Sequence, residues 1–406
     1  MPVVDLWHKM EKQPDGSRKK VRSSKYGRGK RWAARYRALD GEQKSPVFET
    51  QEKARQHLKQ VEGDLARGQY VDPRAGQVLL EDFARKFIAN ASVDEATRYA
   101  MEQRFERHIY PLLGKRPMNS IRPSDVQNWI RGRQKELGDR TVRTMFENLS
   151  SVFSAAVDDE ILGKNPCRAK SVKAPTPTQK KIVPWPVGRV VAVRAELPER
   201  YRALVDMGVG CGLRQGETFG LDADDFDFAD EVLHVRRQVK LVRSTLCFAP
   251  PKGGKERDVP LPKSVAVPLA EHMARFQPVE VALPWKKPDG KLVTARLVFT
   301  GRERKALNKN YVNPHLWKPA LAAAGVISPR EPGEKFEESR EHGFHALRHL
   351  FASLVLSGGA NIRELADYLG HADPGFTLRT YVHMMPTSDQ KMREAIDGVW
   401  SAVDGP

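Results

Sequence analysis

Five short segments in the second half of the chain carry side chains that could do chemistry. They are residues 210–217, 251–255, 345–349, 369–371 and 380–383. Taken alone, each segment has an ordinary structural explanation. Arg214 and Glu217 could be an i,i+3 helix pair, and Lys252, which precedes two glycines, could sit at a solvated turn. The histidines could lie on a helix surface or cap a helix, and the tyrosine could belong to a core.

Taken together, the segments supply polar groups that suit a phosphodiester, without the paired carboxylates that would hold a metal ion. The set contains two guanidiniums, one ammonium, two imidazoles and one phenol. These groups belong to Arg214, Lys252, His345, Arg348, His371 and Tyr381. The combination predicts metal-independent chemistry on a phosphate.

Each type of group has a distinct use in such chemistry. A guanidinium matches two phosphate oxygens, so two arginines can hold a phosphate and offset the charge that develops in the transition state. A tyrosine can be a covalent nucleophile, but with a free pKa of ~10 only about a thousandth is phenolate at pH 7. A neighbouring group must therefore help to remove its proton. A lysine or histidine can give a proton to the departing oxygen.

The composition indicates a protein that meets a polyanion. The chain has 406 residues, with 68 Lys and Arg against 51 Asp and Glu, a formal charge of +17. Nucleic acid, or an anionic membrane surface, is therefore the first partner to consider. No run reaches the ~18 apolar residues of a membrane helix, and the first residues show no signal-peptide pattern. Three cysteines without close pairing argue against a disulfide framework or a four-cysteine zinc site and favour a reducing cytosol.

The first part of the chain, residues 1–70, is predicted to be a small basic sheet followed by a helix. Trp32, Ala34 and Tyr36 alternate with polar or small residues, as in a strand, within a densely basic run. A turn at 40–41 leads to a return strand at 46–49, and helical spacing of apolar residues begins after it. The alternative is a solvated basic arm.

The rest of the chain is predicted to be a helical region, a linker and a mixed α and β region. Residues 78–165 are helical, with a capping box at 124–127 and an apolar stripe at 142–156 that Asn165-Pro166 should stop. Prolines and lysines then indicate an extended basic linker. Beyond it, we expect a helix at 189–209, strands at 232–239 and 241–248, and helices from about 345 to 397.

In their order and spacing, the chemical motifs resemble those of the tyrosine recombinase family, the lambda-integrase type of phage integrase. The family pattern contains an arginine in Gly-Leu-Arg-x-Gly-Glu, a β-hairpin lysine, a His-x-x-Arg box, a Leu-Gly-His motif and a nucleophilic tyrosine. The matching residues are, in that order, Arg214, Lys252, His345 with Arg348, His371 and Tyr381. Two departures are Ala346, where an acidic residue is frequent, and Gly375-Phe376, where small hydroxyl residues are common.

The resemblance implies a multidomain fold that is mainly α with small β-sheets (α+β). A small N-terminal sheet-plus-helix domain that binds arm-type DNA sites is expected at 1–72, and a helical domain that binds core-type sites at 76–172. A linker at 173–186 would lead to a mixed α/β catalytic domain at 187–398.

The resemblance also implies a mechanism. Tyr381 would attack the scissile phosphate and form a 3′-phosphotyrosine, while Arg214 and Arg348 clamp the non-bridging oxygens. Lys252 would protonate the leaving 5′ oxygen, and the two histidines would hydrogen-bond the phosphate or help to take the tyrosine proton. No ATP, metal or other cofactor is expected, since the bond energy stays in the phosphotyrosine.

The implied partner is double-stranded DNA that carries the core-type and arm-type attachment sites of a phage or other mobile element. Four protomers would act on two duplexes through a four-way junction, in the cytoplasm of a bacterial host and at its nucleoid. No membrane partner is expected, and the need for an excision factor or a host DNA-bending protein is left open. C-terminal residues would pack on a neighbouring protomer or within their own chain. They are Met392, Ile396, Val399 and Trp400.

Two alternatives to a recombinase are open at this point. A type IB topoisomerase-like enzyme shares the arginine, lysine and tyrosine chemistry but relaxes DNA as a monomer. A catalytically silent DNA-binding protein would keep the basic charge without using the tyrosine. The Leu-Gly-His segment and the basic N-terminal region favour the recombinase, and the complete set of six residues argues against a silent protein.

Overall fold

The computed structural model describes residues 2–382 and Arg393, with short gaps. The gaps are residues 15, 39–40, 67–69, 71, 73, 178–180, 332 and 338–340. The chain forms two compact units, one of residues 1–93 and 100–178 and the other of residues 94–99 and 179–406. In the described part of the chain, we find no helix whose length and apolar character would allow it to span a membrane.

The N-terminal part of the first unit consists of a three-stranded antiparallel sheet, two separate two-stranded pairs and one helix, and its alternating aromatic residues predict the strands. Its elements are β1 (Val3–Asp5), β2 (His8–Lys12), β3 (Arg18–Arg22), β4 (Trp32–Ala34), β5 (Tyr36–Arg37), β6 (Gln43–Lys44), β7 (Val47–Phe48) and α1 (Gln51–Ala66). β4 pairs with β1 on one side and with β7 on the other, and β2 and β3 form a hairpin. Leu58 and Val61 of α1 pack with Tyr36 and Tyr70 in a core of their own. This part is therefore a folded element rather than a solvated arm.

The remainder of the first unit is helical, and its apolar stripes form a core, as predicted. Its helices are α2 (Leu80–Asn90), α3 (Glu95–Arg104, of which residues 100–104 belong to this unit), α4 (Pro123–Gln134) and α5 (Asp139–Asp158). α3 continues into a π-helical segment, Phe105–Gly114. The buried face of α5 supplies the centre of the core, where Val142, Leu149 and Phe153 are shielded from solvent.

The predicted start of α4 is wrong by two residues. We expected Ser124 to cap this helix, but α4 begins at Pro123 and its N-cap is Arg122. The Asp125 carboxylate accepts a 2.8 Å hydrogen bond from the backbone N–H of Arg122, which closes the helix end. Proline suits the first helical position because the N–H it lacks would have no partner there.

The predicted end of α5 is also wrong. The helix stops at Asp158, and Glu160 has a left-handed backbone with φ of 56°. Asn165 does not stop α5, since its side chain accepts a 2.8 Å hydrogen bond from the N–H of Cys167 and caps a short 3₁₀ turn. Asn165 is therefore a capping residue, but it caps the 3₁₀ turn that follows α5 and not α5 itself.

The second unit combines three small antiparallel sheets with helices. Its strands are β8 (Phe226–Asp227), β9 (Val232–Val235), β10 (Gln238–Val242), β11 (Thr245–Ala249), β12 (Arg257–Pro260), β13 (Val279–Pro284) and β14 (Leu292–Leu297). Its helices are α6 (Val187–Glu196), α7 (Glu199–Gly210), α8 (Gln215–Phe219), α9 (Lys263–Arg275), α10 (Lys309–Val312), α11 (Lys318–Ala323), α12 (His345–Ser357), α13 (Ile362–Leu369) and α14 (Pro374–Tyr381). β9 lies between β8 and β12, β10 pairs with β11, and β13 pairs with β14.

Three predicted elements of the second unit are interrupted. The helix expected at 189–209 is α6 followed by α7, because the chain breaks at Leu197-Pro198. The strand expected at 232–239 ends at Val235, and β10 begins at Gln238. The strand expected at 241–248 is divided by a turn at 243–244, with positive φ at both residues, which closes the β10–β11 hairpin. The residues expected to contact a neighbouring protomer lie outside the described part of the chain. They are Met392, Ile396, Val399 and Trp400.

Close packing of α7 against α12 brings the chemical segments together. Gly208 of α7 lies so near Leu347 of α12 that a Cβ on the glycine would be 2.8 Å from a leucine methyl carbon. The first turn of α12, which carries His345 and Arg348, consequently lies beside the loop that follows α7. At the other edge of this core, Trp185 is buried in the second unit and stacks on Trp317 with ring centroids 6.2 Å apart.

Candidate active site

The loop between α7 and α8 is shaped to meet α12. Gly212 in this loop has φ of 62°, and a Cβ on it would lie 2.4 Å from the Phe351 ring. A side chain here would therefore be strained and would clash. The Gly212 carbonyl accepts a 2.6 Å hydrogen bond from Nη1 of Arg348. This bond ties the segment that carries Arg214 to the helix that carries Arg348.

Arg348 is the most deeply placed of the predicted site residues, with 0 % of its surface exposed. Its Nη2 donates to the Leu369 carbonyl and, at 3.2 Å, to Nε2 of His371. Its Nε has no hydrogen-bond partner among the described residues. Burial, and then the positive charge of Arg214, lower the pKa of Arg348. An anion beside the guanidinium would reverse both effects, so the site favours a negatively charged ligand.

Glu217 joins Arg214 to Arg257, a residue that the sequence analysis did not select. Arg214 Nη1 donates to Glu217 Oε1 at 2.8 Å, and Arg257 Nη2 donates to Oε2 at 2.7 Å. Arg257 Nε also donates to the Tyr368 carbonyl at 2.7 Å, at the end of α13. Burial alone would raise the pKa of Glu217, but Arg257 and Arg214 outweigh it and bring the pKa to about 2. The carboxylate is therefore ionised and orients both guanidiniums.

Glu217→Gln is expected to destabilise the second unit by about 3 kcal/mol at pH 7, because the buried carboxylate is lost and two partly buried guanidiniums lose their counter-charge. The folded-state pKa of Glu217 lies below its ordinary value of 4.5, so its stabilising effect is complete above that pH and is lost as the pH falls toward 2. Urea unfolding of both proteins at pH 7 and pH 3 measures the effect. The difference should shrink at the lower pH, and equal stabilities at pH 7 would contradict the prediction.

His371 is held in one orientation by two neighbours. It follows α13 directly after Gly370, which has the left-handed φ of 60°. Because an arginine can only donate, His371 Nε2 accepts from Arg348, and its Nδ1–H donates to Oγ1 of Thr377 at 2.7 Å. Desolvation, and then nearby positive charges, lower the pKa of His371 to about 4, so the ring is neutral. Thr377, which sequence reasoning missed, supplies a hydroxyl one residue beyond the departure at Gly375-Phe376.

Tyr381 is only 1 % exposed, and its hydroxyl shares a 2.9 Å hydrogen bond with Nδ1 of His349. Burial raises the pKa of Tyr381 to about 12, although Arg348 and Arg214 act in the opposite direction. The His349 ring meets the His345 ring edge-on, with centroids 4.7 Å apart. Sequence reasoning did not select His349, although its spacing of four from His345 places both on one helix face.

Lys252 and His345 are the exposed members of the predicted set. Lys252 lies in a turn that the Gly254 N–H closes on the Pro251 carbonyl at 2.9 Å. This turn connects β11 to β12, which belong to different sheets, so Lys252 is on a connecting loop and not at a hairpin tip. It makes no hydrogen bond or ion pair with the described residues, but its charge contributes to the lowered pKa of His371. The other five residues lie together, and Lys252 lies at their edge.

The gathered residues concentrate positive charge around a tyrosine hydroxyl. Three guanidiniums, those of Arg214, Arg257 and Arg348, are accompanied by the single buried carboxylate of Glu217. Within the residues that the structure describes, no cluster of His, Cys, Asp or Glu could hold a metal ion. A cationic surrounding for a buried phenol fits the binding of an anionic group that the phenol can attack.

Two stretches of the chain match known protein families. Residues 189–387 match the Phage integrase family, and residues 79–132 match the Phage integrase, N-terminal SAM-like domain family. The first stretch contains all six predicted site residues, and the second begins just before α2 and ends within α4.

Related sequences carry recombinase and integrase names. The "Tyrosine recombinase XerC-like" protein of Caldanaerobacter subterraneus subsp. tengcongensis is 28% identical over 282 residues, which cover 66% of this chain and 68% of that protein. The "Integrase" of Mycobacterium phage D29 is 25% identical over 357 residues, which cover 86% of this chain and 81% of the phage protein.

Solved structures with the same fold are integrases. A Tn1549 transposon integrase in complex with a circular intermediate DNA matches 79% of this chain and 99% of its own, with a TM-score of 0.63 and 19% identity. A lambda integrase tetramer bound to a Holliday junction matches 88% of this chain and 93% of its own, with a TM-score of 0.56 and 14% identity. At these identities the likeness shows the fold alone, and it confirms the predicted multidomain α+β class.

Proposed function

Since the chain belongs to the phage integrase family of tyrosine recombinases, we propose that it is a site-specific DNA recombinase whose Tyr381 forms a 3′-phosphotyrosine intermediate. The observation that carries the proposal is the position of the Tyr381 hydroxyl, bonded to His349 and within the field of Arg348 and Arg214. A phenol beside two guanidiniums is placed to attack a phosphate whose charge those guanidiniums hold.

The remaining groups have consistent roles in cleavage. Arg214 and Arg348 hold the non-bridging oxygens of the scissile phosphate and stabilise the charge of the transition state. Lys252, exposed at the edge of the site, gives a proton to the departing 5′ oxygen. His345, which is also exposed, hydrogen-bonds the phosphate. His371 contacts Arg348 rather than Tyr381, so we assign it the orientation of that guanidinium.

Rejoining follows by the reverse chemistry and needs no cofactor in this proposal. The energy of the phosphodiester is retained in the phosphotyrosine, which the 5′-hydroxyl of the incoming strand attacks. ATP is therefore not consumed, and the arginines supply the positive charge that a metal ion provides in other phosphoryl-transfer sites.

We assign double-stranded DNA as the partner and a homotetramer on two duplexes as the active assembly. The excess of basic over acidic residues, 68 against 51, supports binding to a polyanion. Among the structures of the same fold, one is a lambda integrase tetramer bound to a Holliday junction, which supports a four-protomer assembly. An excision factor and a host DNA-bending protein would be accessory partners of this assembly.

The biological role that we propose is integration or excision of a phage or other mobile element. Curated relatives include the integrase of Mycobacterium phage D29 and a putative prophage integrase of Mycobacterium tuberculosis, and both support this role. The protein would act in the cytoplasm of a bacterial host, at the nucleoid, where its DNA sites lie.

A duplex nicked near the scissile phosphate tests the cleavage proposal, once footprinting on candidate phage and host sites has identified the core site. The short cleaved fragment diffuses away, so the phosphotyrosine cannot be rejoined and the protein stays attached to DNA. We expect this adduct to form in EDTA. Binding without an adduct would favour the catalytically silent alternative, and an adduct that requires a divalent metal would contradict the metal-free mechanism.

Two labelled sites in one reaction distinguish a recombinase from a topoisomerase-like enzyme. A recombinase produces four-way junctions and exchanged products that carry both labels. Relaxation of a supercoiled plasmid without exchange between the two sites would favour the topoisomerase alternative.

We propose the following division of labour along the chain. Residues 1–72 bind arm-type sites, residues 76–172 bind core-type sites, residues 173–186 are the linker, and residues 187–398 are catalytic. The basic hairpin of β2 and β3 supports the first assignment, because most of its side chains are exposed and Lys and Arg predominate among them. Basic side chains on a folded surface can follow the phosphates of a duplex.

Deletion of residues 1–70 is expected to remove binding to the arm-type DNA sites, which lie distal to the core site. Cleavage of a short duplex that carries only the core site should remain measurable. The six site residues all lie outside the deleted segment, and each lost phosphate contact should lower the salt slope by ~0.9 on duplex DNA. Competition binding with core-only, distal-only and scrambled duplexes at one salt concentration measures the effect. An equal loss of affinity for all three duplexes would mean that the segment is only an electrostatic tether.

A further inference from the structure

His349 occupies a position in the site for which the proposed mechanism has no use. Its Nδ1 lies 2.9 Å from the Tyr381 hydroxyl oxygen, and the two ring centroids are 5.7 Å apart. Because Tyr381 is 1 % exposed, solvent does not replace this contact, and the imidazole is the partner that the fold gives to the hydroxyl. A nitrogen base in direct contact with the nucleophilic atom is placed for proton transfer.

We propose that His349 is a catalytic residue, which accepts the proton of Tyr381 as the tyrosine attacks DNA and returns it when the strand is rejoined. This inference rests on the proposed phosphotyrosine mechanism. In the reactive tautomer the hydroxyl donates to Nδ1, and the other ring nitrogen carries the hydrogen.

The other two histidines of the site are not placed for this step. Both ring nitrogens of His371 are occupied, one by Arg348 and the other by the Thr377 hydroxyl. His345 meets His349 edge-on, and among the described residues it makes no hydrogen bond to Tyr381. Within the gathered site, the geometry therefore points to His349.

His349 is neutral before the reaction and so has a lone pair to offer. Burial, and then the neighbouring Arg348, lower its pKa to about 4. Burial and the charge of Arg348 also disfavour the protonated His349 ring as long as no anion lies beside Arg348. A scissile phosphate would bring negative charge to that guanidinium and so favour the transfer. The nucleophile is then activated only when DNA is in place.

The proton balance of the step is complete without another reactant. The O–H bond of Tyr381 breaks and its proton moves to His349, while the phenolic oxygen forms a bond to phosphorus. The bond from phosphorus to the 5′ oxygen breaks, and Lys252 gives that oxygen a proton. His349 gains a positive charge as Lys252 loses one, so the summed charge of the two side chains does not change. Rejoining reverses both transfers.

Two substitutions separate proton transfer from simple positioning. His349→Phe keeps a ring of similar size but cannot accept a proton, and it should slow single-turnover cleavage by about 10²–10⁴-fold. His349→Asn retains an oxygen near the position of Nδ1, which can accept a hydrogen bond but cannot carry the proton. We expect it to be at least about tenfold slower than the wild type. Thermal melting and core-site binding check that both variants are folded.

A substrate with sulfur in place of the bridging 5′ oxygen shows at which atom each residue acts. A thiolate leaves without needing a proton, so Lys252→Ala should recover cleavage on this substrate. The His349 variants should remain slow, because the proton on Tyr381 must still be removed. Recovery of the His349 variants to the rate of the wild type would place the residue at the leaving group and overturn the inference.

The remaining outcomes separate this inference from the function on which it rests. If His349→Phe cleaves at the rate of the wild type while Tyr381→Phe is inactive, His349 has no role and the phosphotyrosine mechanism stands. If His349→Asn matches the wild type, the hydrogen bond only positions the hydroxyl and the proton-transfer proposal is wrong. If Tyr381→Phe still forms adducts, the proposed mechanism itself fails.

Discussion

Tyr381→Phe is expected to abolish covalent attachment of the protein to DNA and to leave core-site binding nearly unchanged. The substitution keeps the buried ring and removes the oxygen that shares a hydrogen bond with Nδ1 of His349. The loss of that bond should cost about 1 kcal/mol of stability, which does not unfold the domain. Gel analysis of the nicked duplex measures the adduct, and a mobility-shift assay on the intact site measures binding.

Tyr368→Phe is the matched control for this prediction. Tyr368 is the nearest preceding tyrosine in the chain, and it contributes its backbone carbonyl to Arg257, which the substitution keeps. This variant should form adducts at the rate of the wild type. Adducts that persist in Tyr381→Phe and disappear in Tyr368→Phe would move the nucleophile to Tyr368.

Arg348→Lys is expected to lower the cleavage rate by at least about 100-fold, the usual effect of removing one preorganised donor from a charged transition state. The guanidinium spans the Gly212 and Leu369 carbonyls and His371 with separate N–H groups. A lysine offers one nitrogen on a flexible stem, which cannot meet these partners and a phosphate together. Single-turnover cleavage of the nicked duplex measures the loss, and thermal melting separates it from unfolding.

Arg275→Lys is a suitable control for the arginine substitution. Arg275 is on the exposed end of α9, where it pairs with Glu199 at the surface. Surface substitutions of this kind change stability by only about 0.5 kcal/mol, so its cleavage rate should equal that of the wild type. Equal rates for Arg348→Lys and Arg275→Lys would exclude a specific role for Arg348 in cleavage.

The residues that could take part in a reaction were predictable from the sequence, because their types and their order carry information that does not depend on packing. Arg214, His345, Arg348, His371 and Tyr381 lie together in the structure, as their selection as one set predicted. Their catalytic roles stay predictions until the variants are measured. The apolar stripes of α1 and α5 were also predictable, since helical spacing alone places such residues on one face.

The supporting contacts were not predictable, because they join segments that are distant in the chain. Arg257 meets Glu217 and the end of α13 only after β12, α8 and α13 have packed. His349 lies in the same motif as His345 and Arg348, and only those two residues were assigned roles. Its contact with Tyr381 depends on how α14 packs against α12. Helix boundaries failed for a local reason, since Asn165 caps the turn that follows α5 and not α5 itself.

The position of α14 at the end of the described second unit has a consequence for protein synthesis. The ribosome completes the basic N-terminal hairpin and the three site arginines before it adds Tyr381, and Thr377, which orients His371, also arrives in this last helix. A nascent or prematurely terminated chain thus lacks the proposed nucleophile while it retains the basic hairpin of β2 and β3. If the proposed division of labour holds, incomplete translation products bind attachment sites but do not cleave them.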